Sequence, residues 1–345
     1  MRLFSTIFLL GLLFFLSRCK QESSSITATE IDQEKDSVRY IERIAPELDA
    51  VLSENTPIEI LAEGFDWSEG PLWLPGQKKL IFSDIPPNII YQWQEGVGVD
   101  TFLFPSGYTG ASPRGGEVGS NGLLLNASGQ LMLCQHGNRQ IARMDASLDD
   151  PQPKYIALAD RFDGKRFNSP NDAAFHPGGD LFFTDPPYGL EHNMEDPAKE
   201  IPFQGVYRIR ADGQVSLVID SITRPNGIGF SPDGSKMYVA SSDPDHAVWL
   251  EYTLDAGGTP VSGRILYDAT SLVATDPGLP DGMCIDAAGR IFATGPGGVW
   301  IFSSSGNLIG KIRTGALTAN CTIGGTDGKS LFLTADSYLM RVKLL

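Results

Sequence analysis

One position in the chain repeatedly carries a side chain whose oxygen is suited to bind a cation or a polar substrate. Six short turns along the chain each contain a glycine. The oxygen-bearing residue stands eight positions before this glycine in five repeats and seven positions before it in the first repeat. Each such residue is followed by Gly, Asp or Cys and then by an apolar run. Matched positions in six repeats indicate one shared role rather than six unrelated turns. The six residues are Glu69, Asn121, Asn171, Asn226, Asp281 and Asn320.

The chemistry of this set predicts a site for one divalent metal ion. Glu69 and Asp281 supply two negative charges, and the four asparagines supply neutral carbonyl oxygens. Hard divalent cations, above all Ca²⁺, bind several oxygen ligands with flexible geometry. Because the set contains neither imidazole nor thiolate, Zn²⁺ is less suited to it than Ca²⁺. Zn²⁺, Mn²⁺ and Mg²⁺ remain alternatives to Ca²⁺.

The elements that must position this set are short strands joined by glycine turns. Each turn precedes a β-rich run such as Leu181-Phe182-Phe183-Thr184, and the turn glycines are Gly76, Gly129, Gly179, Gly234, Gly289 and Gly328. A spacing of about 40 to 55 residues is typical of a four-stranded blade, and six copies close a ring. We therefore predict an all-β fold, a six-bladed β-propeller. Ile58 to Ala62 is expected to supply the outer strand of the last blade, and the six oxygens to converge at one mouth of the central channel.

The N-terminal part of the chain is expected to lie outside this fold. Residues 1–18 show the charged start and apolar run of an export signal, followed directly by Cys19. Cys19 is either the lipidated first residue of a lipoprotein or a chance cysteine after an ordinary cleaved signal. Residues 19–56 are polar and predicted to form a flexible acidic tether, which leaves 57–345 for the propeller. We expect a protein exported to the bacterial envelope, either periplasmic or lipid-anchored, with membrane contact only through that anchor.

Charge and cysteine content exclude several functions. The formal charge of −15 and the lack of clustered Lys and Arg argue against binding to nucleic acid. Cys134, Cys284 and Cys321 lie in apolar runs without zinc-binding spacing, so packing is their predicted role, and a disulfide between any two of them stays open. A Gly-x-Ser-x-Gly elbow is missing from the sequence, which excludes that type of serine hydrolase. The oligomeric state is not predicted.

Four segments resemble motifs of the SMP-30/gluconolactonase family, in the same order and with suitable spacing. They are Ser68-Glu69-Gly70-Pro71-Leu72-Trp73, Ser169-Pro170-Asn171-Asp172, Pro225-Asn226-Gly227 and Pro280-Asp281-Gly282-Met283-Cys284-Ile285-Asp286. The resemblance covers about residues 58 to 345. Two further segments, Gln135-His136-Gly137 and Asn320-Cys321-Thr322-Ile323-Gly324-Gly325, are similar to the bacterial gluconolactonase branch.

The resemblance implies roles for individual residues. Glu69, Asn226 and Asp281 would bind the metal. Asn171 would contact the metal through water or bind the substrate. The remaining residues that the resemblance and the repeat place on the substrate side are Asn121, His136 and Asn320.

The function that follows is metal-assisted hydrolysis of a small-molecule sugar lactone, with Asp281 as the general base. A second interpretation of Asp281 is that it only ligates the metal. Two other functions stay open, namely a metal-dependent hydrolase of other esters or organophosphates, and a noncatalytic ligand-binding propeller.

Overall fold

Short apolar runs between turns pair as antiparallel strands, because each sheet can then bury its faces against neighbouring sheets. In the computed structural model, which describes residues 39–345, these strands form the six blades of a β-propeller, as predicted. The first strand of each blade is the innermost, and these inner strands contact one another around the channel. They therefore present their first residues at one mouth of that channel.

The six blades follow one another along the chain, and within each blade the strands run in order from the inside outwards. Blades 1 and 2 consist of Ser68–Leu74, Lys79–Asp84, Ile89–Gln94 and Gly98–Leu103, then Ser120–Leu125, Leu131–Gln135, Gln140–Met144 and Tyr155–Ala159. Blades 3 and 4 consist of Ala173–Phe175, Leu181–Asp185, Gly205–Ile209 and Val215–Ile219, then Pro225–Phe230, Lys236–Asp243, His246–Leu254 and Pro260–Asp268. Blades 5 and 6 begin with Met283–Ile285, Ile291–Gly295, Gly298–Phe302 and Leu308–Arg313, then Thr318–Gly324, Ser330–Ala335 and Tyr338–Lys343.

The remaining elements are short. A two-stranded hairpin is formed by Arg161–Phe162 and Lys165–Arg166, and the 3-10 helices are Pro46–Ala50, Asn193–Glu195 and Thr270–Leu272. Among the residues that the structure describes, no helix is long and apolar enough to cross a membrane.

The ring is closed by an N-terminal strand, as predicted. Ile58–Glu63 pairs antiparallel with Tyr338–Lys343, with Ile58 opposite Val342. This strand completes blade 6, so the last blade has four strands like the others. Pairing this strand with Tyr338–Lys343 leaves the backbone groups of blade 6 bonded within the ring.

The predicted tether is wrong over residues 40–52. Tyr40–Arg43 pairs with the outer strand of blade 5, Leu308–Arg313, and makes that blade five-stranded. Leu48 and Leu52 are fully buried against blade 5. The composition averaged over residues 19–56 is polar, but residues 40–52 are mostly apolar and their buried side chains pack against the propeller. The rest of the tether up to residue 38, the export signal and Cys19 lie outside the described residues and stay predictions.

Leu48→Ala is therefore expected to lower the free energy of unfolding by about 2–5 kcal/mol, because it leaves a cavity under the N-terminal segment. Urea unfolding followed by tryptophan fluorescence measures the change. Val97→Ala is the control, since Val97 is 77% exposed and should change stability by less than about 0.5 kcal/mol. Equal effects of the two substitutions would show that residues 46–52 do not pack as described.

The cysteines lie between blades, which confirms their packing role. Cys134 belongs to the core between blades 2 and 3, whereas Cys284 and Cys321 meet in the core between blades 5 and 6. All three are free thiols. The Sγ atoms of Cys284 and Cys321 are 3.6 Å apart, so this is the pair whose sulfur atoms are in contact.

Candidate active site

The six repeated oxygen-bearing residues stand where the inner strands begin. In blade 1 the strand ladder is interrupted between Glu69 and Leu72, and blades 2 and 4 have interruptions at the matching place. In blades 3 and 5 the ladder starts only after the residue, at Ala173 and Met283. A local break in the ladder turns a side chain away from the sheet. In four blades the residue itself therefore lies outside the ladder and its side chain is free to point into the channel, whereas Glu69 and Asn320 are paired with Ser83 and Thr334.

The offset of one residue in the first repeat has a structural cause. In blades 2 to 6 the turn glycine itself has a positive φ, for example 70° at Gly234. In blade 1 the positive φ falls on Lys78, two residues after Gly76. The blade 1 turn is therefore built differently, and Glu69 still lies at the start of its inner strand, like its counterparts in the other blades.

The glycines that follow these residues allow the inner strands to approach one another. A Cβ atom at residue 70 would lie 2.1 Å from the carbonyl oxygen of Asn121, and one at residue 227 would lie 2.2 Å from the carbonyl oxygen of Asp281. Such distances exclude any side chain there. The Gly in the repeated Glu-Gly, Asn-Gly and Asp-Gly pairs is therefore required to bring the oxygens of neighbouring blades together.

Gly227→Ala is expected to displace the backbone at Asp281. We expect a loss of about 1–3 kcal/mol of stability from overpacking. We also expect a fall in hydrolytic activity of up to about 100-fold, because small misplacements of reacting groups are costly. Gly76→Ala is the matched control, since a Cβ at Gly76 meets nothing within 4 Å. Lactone hydrolysis and thermal unfolding of both variants test this expectation. If Gly227→Ala changes neither activity nor stability, the close packing of blades 4 and 5 is contradicted.

Five of the six residues converge on one cavity at the channel mouth. The cavity has a volume of about 400 Å³, and Glu69, Asn121, Asn171, Asn226 and Asp281 all line it. The four residues other than Asp281 are at most 5% exposed. Two carboxylates and three amides thus share one small space, as the repeat predicted.

Burial perturbs the two carboxylates strongly. Burial in the channel raises the pKa of Glu69 to about 8, against a hydrogen bond that Gly70 N donates to its Oε2 at 3.0 Å. Burial, and then the negative charge of Glu69, raise the pKa of Asp281 well above its usual range. Asp172 lies behind them in the channel, and burial raises its pKa to about 7. A compensating positive charge at this mouth would stabilise all three carboxylates in their ionised form.

The free oxygens of the cavity fit a cation. Within residues 39–345, Oδ1 of Asn121 and Oδ1 of Asp281 are buried and have no hydrogen-bond partner. Asn226 donates Nδ2 to Ser242 Oγ at 3.0 Å, which leaves its Oδ1 as a free acceptor. No group of three His, Cys, Asp or Glu side chains in the described part of the chain is arranged to hold an ion, so a ligand set here must include amide oxygens. That mixture suits a hard cation better than Zn²⁺.

Two residues that the sequence placed on the substrate side lie behind the cavity. Asn320 is in the channel below it and forms a hydrogen bond with Glu69. His136 is fully buried, and its Nδ1 lies 3.0 Å from Oε2 of Glu117. Neither residue lines the cavity itself. Each contacts a carboxylate that does, Asn320 that of Glu69 and His136 that of Glu117.

Other cavity residues carried no repeated signal in the sequence. Glu117 and Tyr188 come from the loops after blade 1 and within blade 3, and Arg224 directly precedes the inner strand of blade 4. Trp67 and Thr318 also line the cavity. Burial, followed by the negative charge of Asp281 in the same cavity, raises the pKa of Tyr188. The location of the two loops near the channel mouth is the one sequence signal that could have found their residues.

Known proteins are similar to this chain over most of its length. The family model described as SMP-30/gluconolactonase/LRE-like region matches residues 67–337. The gluconolactonase of Zymomonas mobilis is 38% identical over 328 residues, which cover 93% of this chain and 90% of that protein.

Solved structures agree. A gluconolactonase from Xanthomonas campestris is 30% identical, with a TM-score of 0.74 over 88% of this chain and 95% of that chain. Regucalcin from Agrobacterium tumefaciens, described as a calcium-binding protein, has a TM-score of 0.63 at 18% identity over 84% of this chain and 95% of that chain, which shows a shared fold. Because the family model spans most of the propeller and the Zymomonas mobilis protein matches nearly the whole chain, this chain belongs to the SMP-30/gluconolactonase family.

Proposed function

We propose that this protein is a carboxylic-ester hydrolase that opens a sugar lactone with the help of one divalent metal ion, most suitably Ca²⁺. The relatives from Zymomonas mobilis and Xanthomonas campestris are both described as gluconolactonases. The observation that carries the proposal is the cavity itself. It joins two carboxylates of raised pKa to amide oxygens without partners, in a space suited to a small ligand.

Glu69, Asn226 and Asp281 are the residues that would hold the ion, and Asn171 lies on the same cavity wall. A divalent ion bound there supplies polarisation of the lactone carbonyl and stabilises negative charge on its oxygen. Glu69 neutralises part of the ion's charge, and Asn320 and Gly70 N orient its carboxylate by hydrogen bonds. Ser242 orients Asn226 in the same way.

Asp281 is positioned to act as the general base. A free carboxylate oxygen facing the cavity accepts a proton from the attacking water as the water oxygen bonds to the carbonyl carbon. When the ring C–O bond breaks, the leaving oxygen takes up a proton and becomes a hydroxyl group. The overall reaction converts a lactone and water into a hydroxy acid, which ionises and releases one proton.

Several of the remaining cavity residues are suited to a polyhydroxylated ligand, while Val273, Leu279 and Leu317 add apolar surface. Asn121, Glu117 and Arg224 offer polar groups for hydroxyl groups, and Trp67 and Tyr188 offer ring faces. Cavity walls of this kind distinguish a sugar lactone from an apolar ester, since each unpaired buried polar group disfavours the apolar ligand.

A substrate panel tests the proposal. Hydrolysis of glucono-1,5-lactone, phenyl acetate and paraoxon is compared in the presence of Ca²⁺, by pH-stat for the lactone and by absorbance for the other two. We expect the highest kcat/KM for the lactone. A higher kcat/KM for phenyl acetate or paraoxon would overturn the sugar-lactone proposal and favour the hydrolase of other esters or organophosphates.

A further inference from the structure

Three arginine side chains surround one turn of blade 2, outside the catalytic cavity. Arg114 donates Nη1 to the carbonyl oxygen of Gly137 at 2.8 Å, and Arg166 donates Nη2 to that of Asn138 at 2.6 Å. Arg139, the next residue of the turn, donates Nε to the carbonyl oxygen of Phe167 at 2.7 Å. Three positively charged side chains thus lie around one turn, and one of them, Arg139, belongs to it.

These arginines bond main-chain carbonyls instead of carboxylates. Within residues 39–345 none of the three forms an ion pair, whereas other arginines do, such as Arg313 with Glu42 at 2.7 Å. The chain has 42 acidic residues against 27 basic ones, so acidic partners are not scarce. Carbonyl groups satisfy N–H donors but do not neutralise positive charge. The nearest carboxylates, among them Glu191 and Asp196, act on these arginines from a distance and form no direct pair with them.

The cluster lines a cavity of its own, with a volume of about 480 Å³. Arg139 is only 4% exposed, and its Nη2 has no hydrogen-bond partner among the described residues. Burial lowers the pKa of both Arg114 and Arg139, and the positive charge of Arg166 adds to this effect, whereas nearby carboxylates act in the opposite direction. Glu191 and Asp196 also line the cavity, and the carboxylate of Asp196 accepts hydrogen bonds from His192 N and Ala198 N.

We propose that this arginine pocket binds a small oxoanion, a carboxylate or a phosphate. Guanidinium groups pair with planar carboxylates and with phosphates through two N–H donors at once, and a bound anion would satisfy Nη2 of Arg139. Two sources share this chemistry. One is the hydroxy acid that lactone hydrolysis releases, which rests on the proposed function, and the other is inorganic phosphate, which does not.

The pocket is separate from the catalytic cavity but adjoins its loops. Arg114 precedes Glu117 by three residues, and it also donates a hydrogen bond to the carbonyl oxygen of Gly189, the neighbour of Tyr188. Glu117 and Tyr188 line the catalytic cavity, while the arginines do not. Arg139 donates Nη1 to the carbonyl oxygen of Ala198 in the second loop at 3.0 Å, so an anion held by Arg114 and Arg139 lies beside both loops, and its binding is expected to stabilise the protein.

Isothermal titration calorimetry with sodium gluconate and with sodium phosphate tests the pocket. The titrations use the full-length Asp281→Asn variant, so that no catalytic reaction contributes to the measured heat. We expect saturable binding of at least one anion, with Kd of about 1 mM or below. Arg166→Gln, at a partly exposed position, should weaken that binding about 10-fold or more through loss of a charged hydrogen bond.

The matched control is Arg161→Gln in the same hairpin, whose guanidinium bonds only Gly164 O at 3.0 Å and the adjacent Asp160 at 3.6 Å. It should leave binding unchanged. Tighter binding of gluconate would assign the pocket to a sugar acid, and tighter binding of phosphate would assign it to phosphate. No saturable binding of either anion, or equal binding by the Arg166→Gln variant, would overturn the proposal. Neither result affects lactone hydrolysis by the unsubstituted protein, which tests the proposed function separately.

Discussion

Asp281→Asn is expected to lower kcat/KM for glucono-1,5-lactone by about 10²–10⁴-fold, the usual contribution of a positioned general base. An amide keeps the shape of the side chain but cannot accept the proton of water. Asp281 lines the catalytic cavity with an oxygen that has no hydrogen-bond partner among residues 39–345. Asp100→Asn, on the exposed outer strand of blade 1, is the control and should retain full activity.

The same variant separates the two interpretations of Asp281. A general base cannot be replaced by more metal, so activity should stay low when Ca²⁺ is raised to saturation. Recovery of activity at high Ca²⁺ would show that Asp281 only ligates the ion. Full activity at every Ca²⁺ concentration would contradict both roles.

Adding Ca²⁺ to protein stripped with EDTA is expected to stabilise the fold by about 2.7 kcal/mol at a hundredfold excess over Kd. Glu69→Gln should remove most of this gain, because it removes one of the two carboxylates of the cavity. Thermal unfolding with and without Ca²⁺ measures both. Glu54→Gln, at an exposed position, is the matched control and should respond to Ca²⁺ like the unsubstituted protein.

The pH dependence of this stabilisation has a defined sign. In the metal-free protein the pKa of Glu69 is raised from its ordinary 4.5 to about 8. The folded state therefore binds more protons than the unfolded state, and metal-free stability falls as the pH rises from about 4.5 through about 8. Ca²⁺ should consequently stabilise the protein more at about pH 9 than at about pH 5. A larger effect at the lower pH would contradict the assignment of Glu69 as a ligand.

The repeated elements were predictable from the sequence because each copy of the turn motif corresponds to one blade, and blades of similar length form a ring. Five oxygen-bearing residues found through that period share one cavity, and Ile58–Glu63 closes the ring as expected. Equivalent positions in equivalent blades lie at equal height in the channel, so spacing alone located them.

Features without a period were not predictable. Glu117 and Tyr188 lie in two loops, 108–117 and 188–203, that the sequence places at the channel mouth, but no local pattern singles out these two residues or Arg224 within their segments. His136 stands in a motif similar to the family, but only the fold shows that it contacts Glu117 instead of lining the cavity. Residues 40–52 are mostly apolar, and they were assigned to the tether because their composition was averaged with the polar residues before and after them.

The most direct test of metal-assisted catalysis is pH-stat hydrolysis of glucono-1,5-lactone by EDTA-stripped protein, before and after Ca²⁺ is restored. We predict that hydrolysis above the spontaneous rate disappears with the metal and returns with Ca²⁺, and that the Glu54→Gln control behaves the same way. Undiminished hydrolysis by the stripped protein, or none after Ca²⁺, Mn²⁺, Mg²⁺ and Zn²⁺ have each been restored, would contradict metal-assisted lactone opening at Glu69, Asn226 and Asp281.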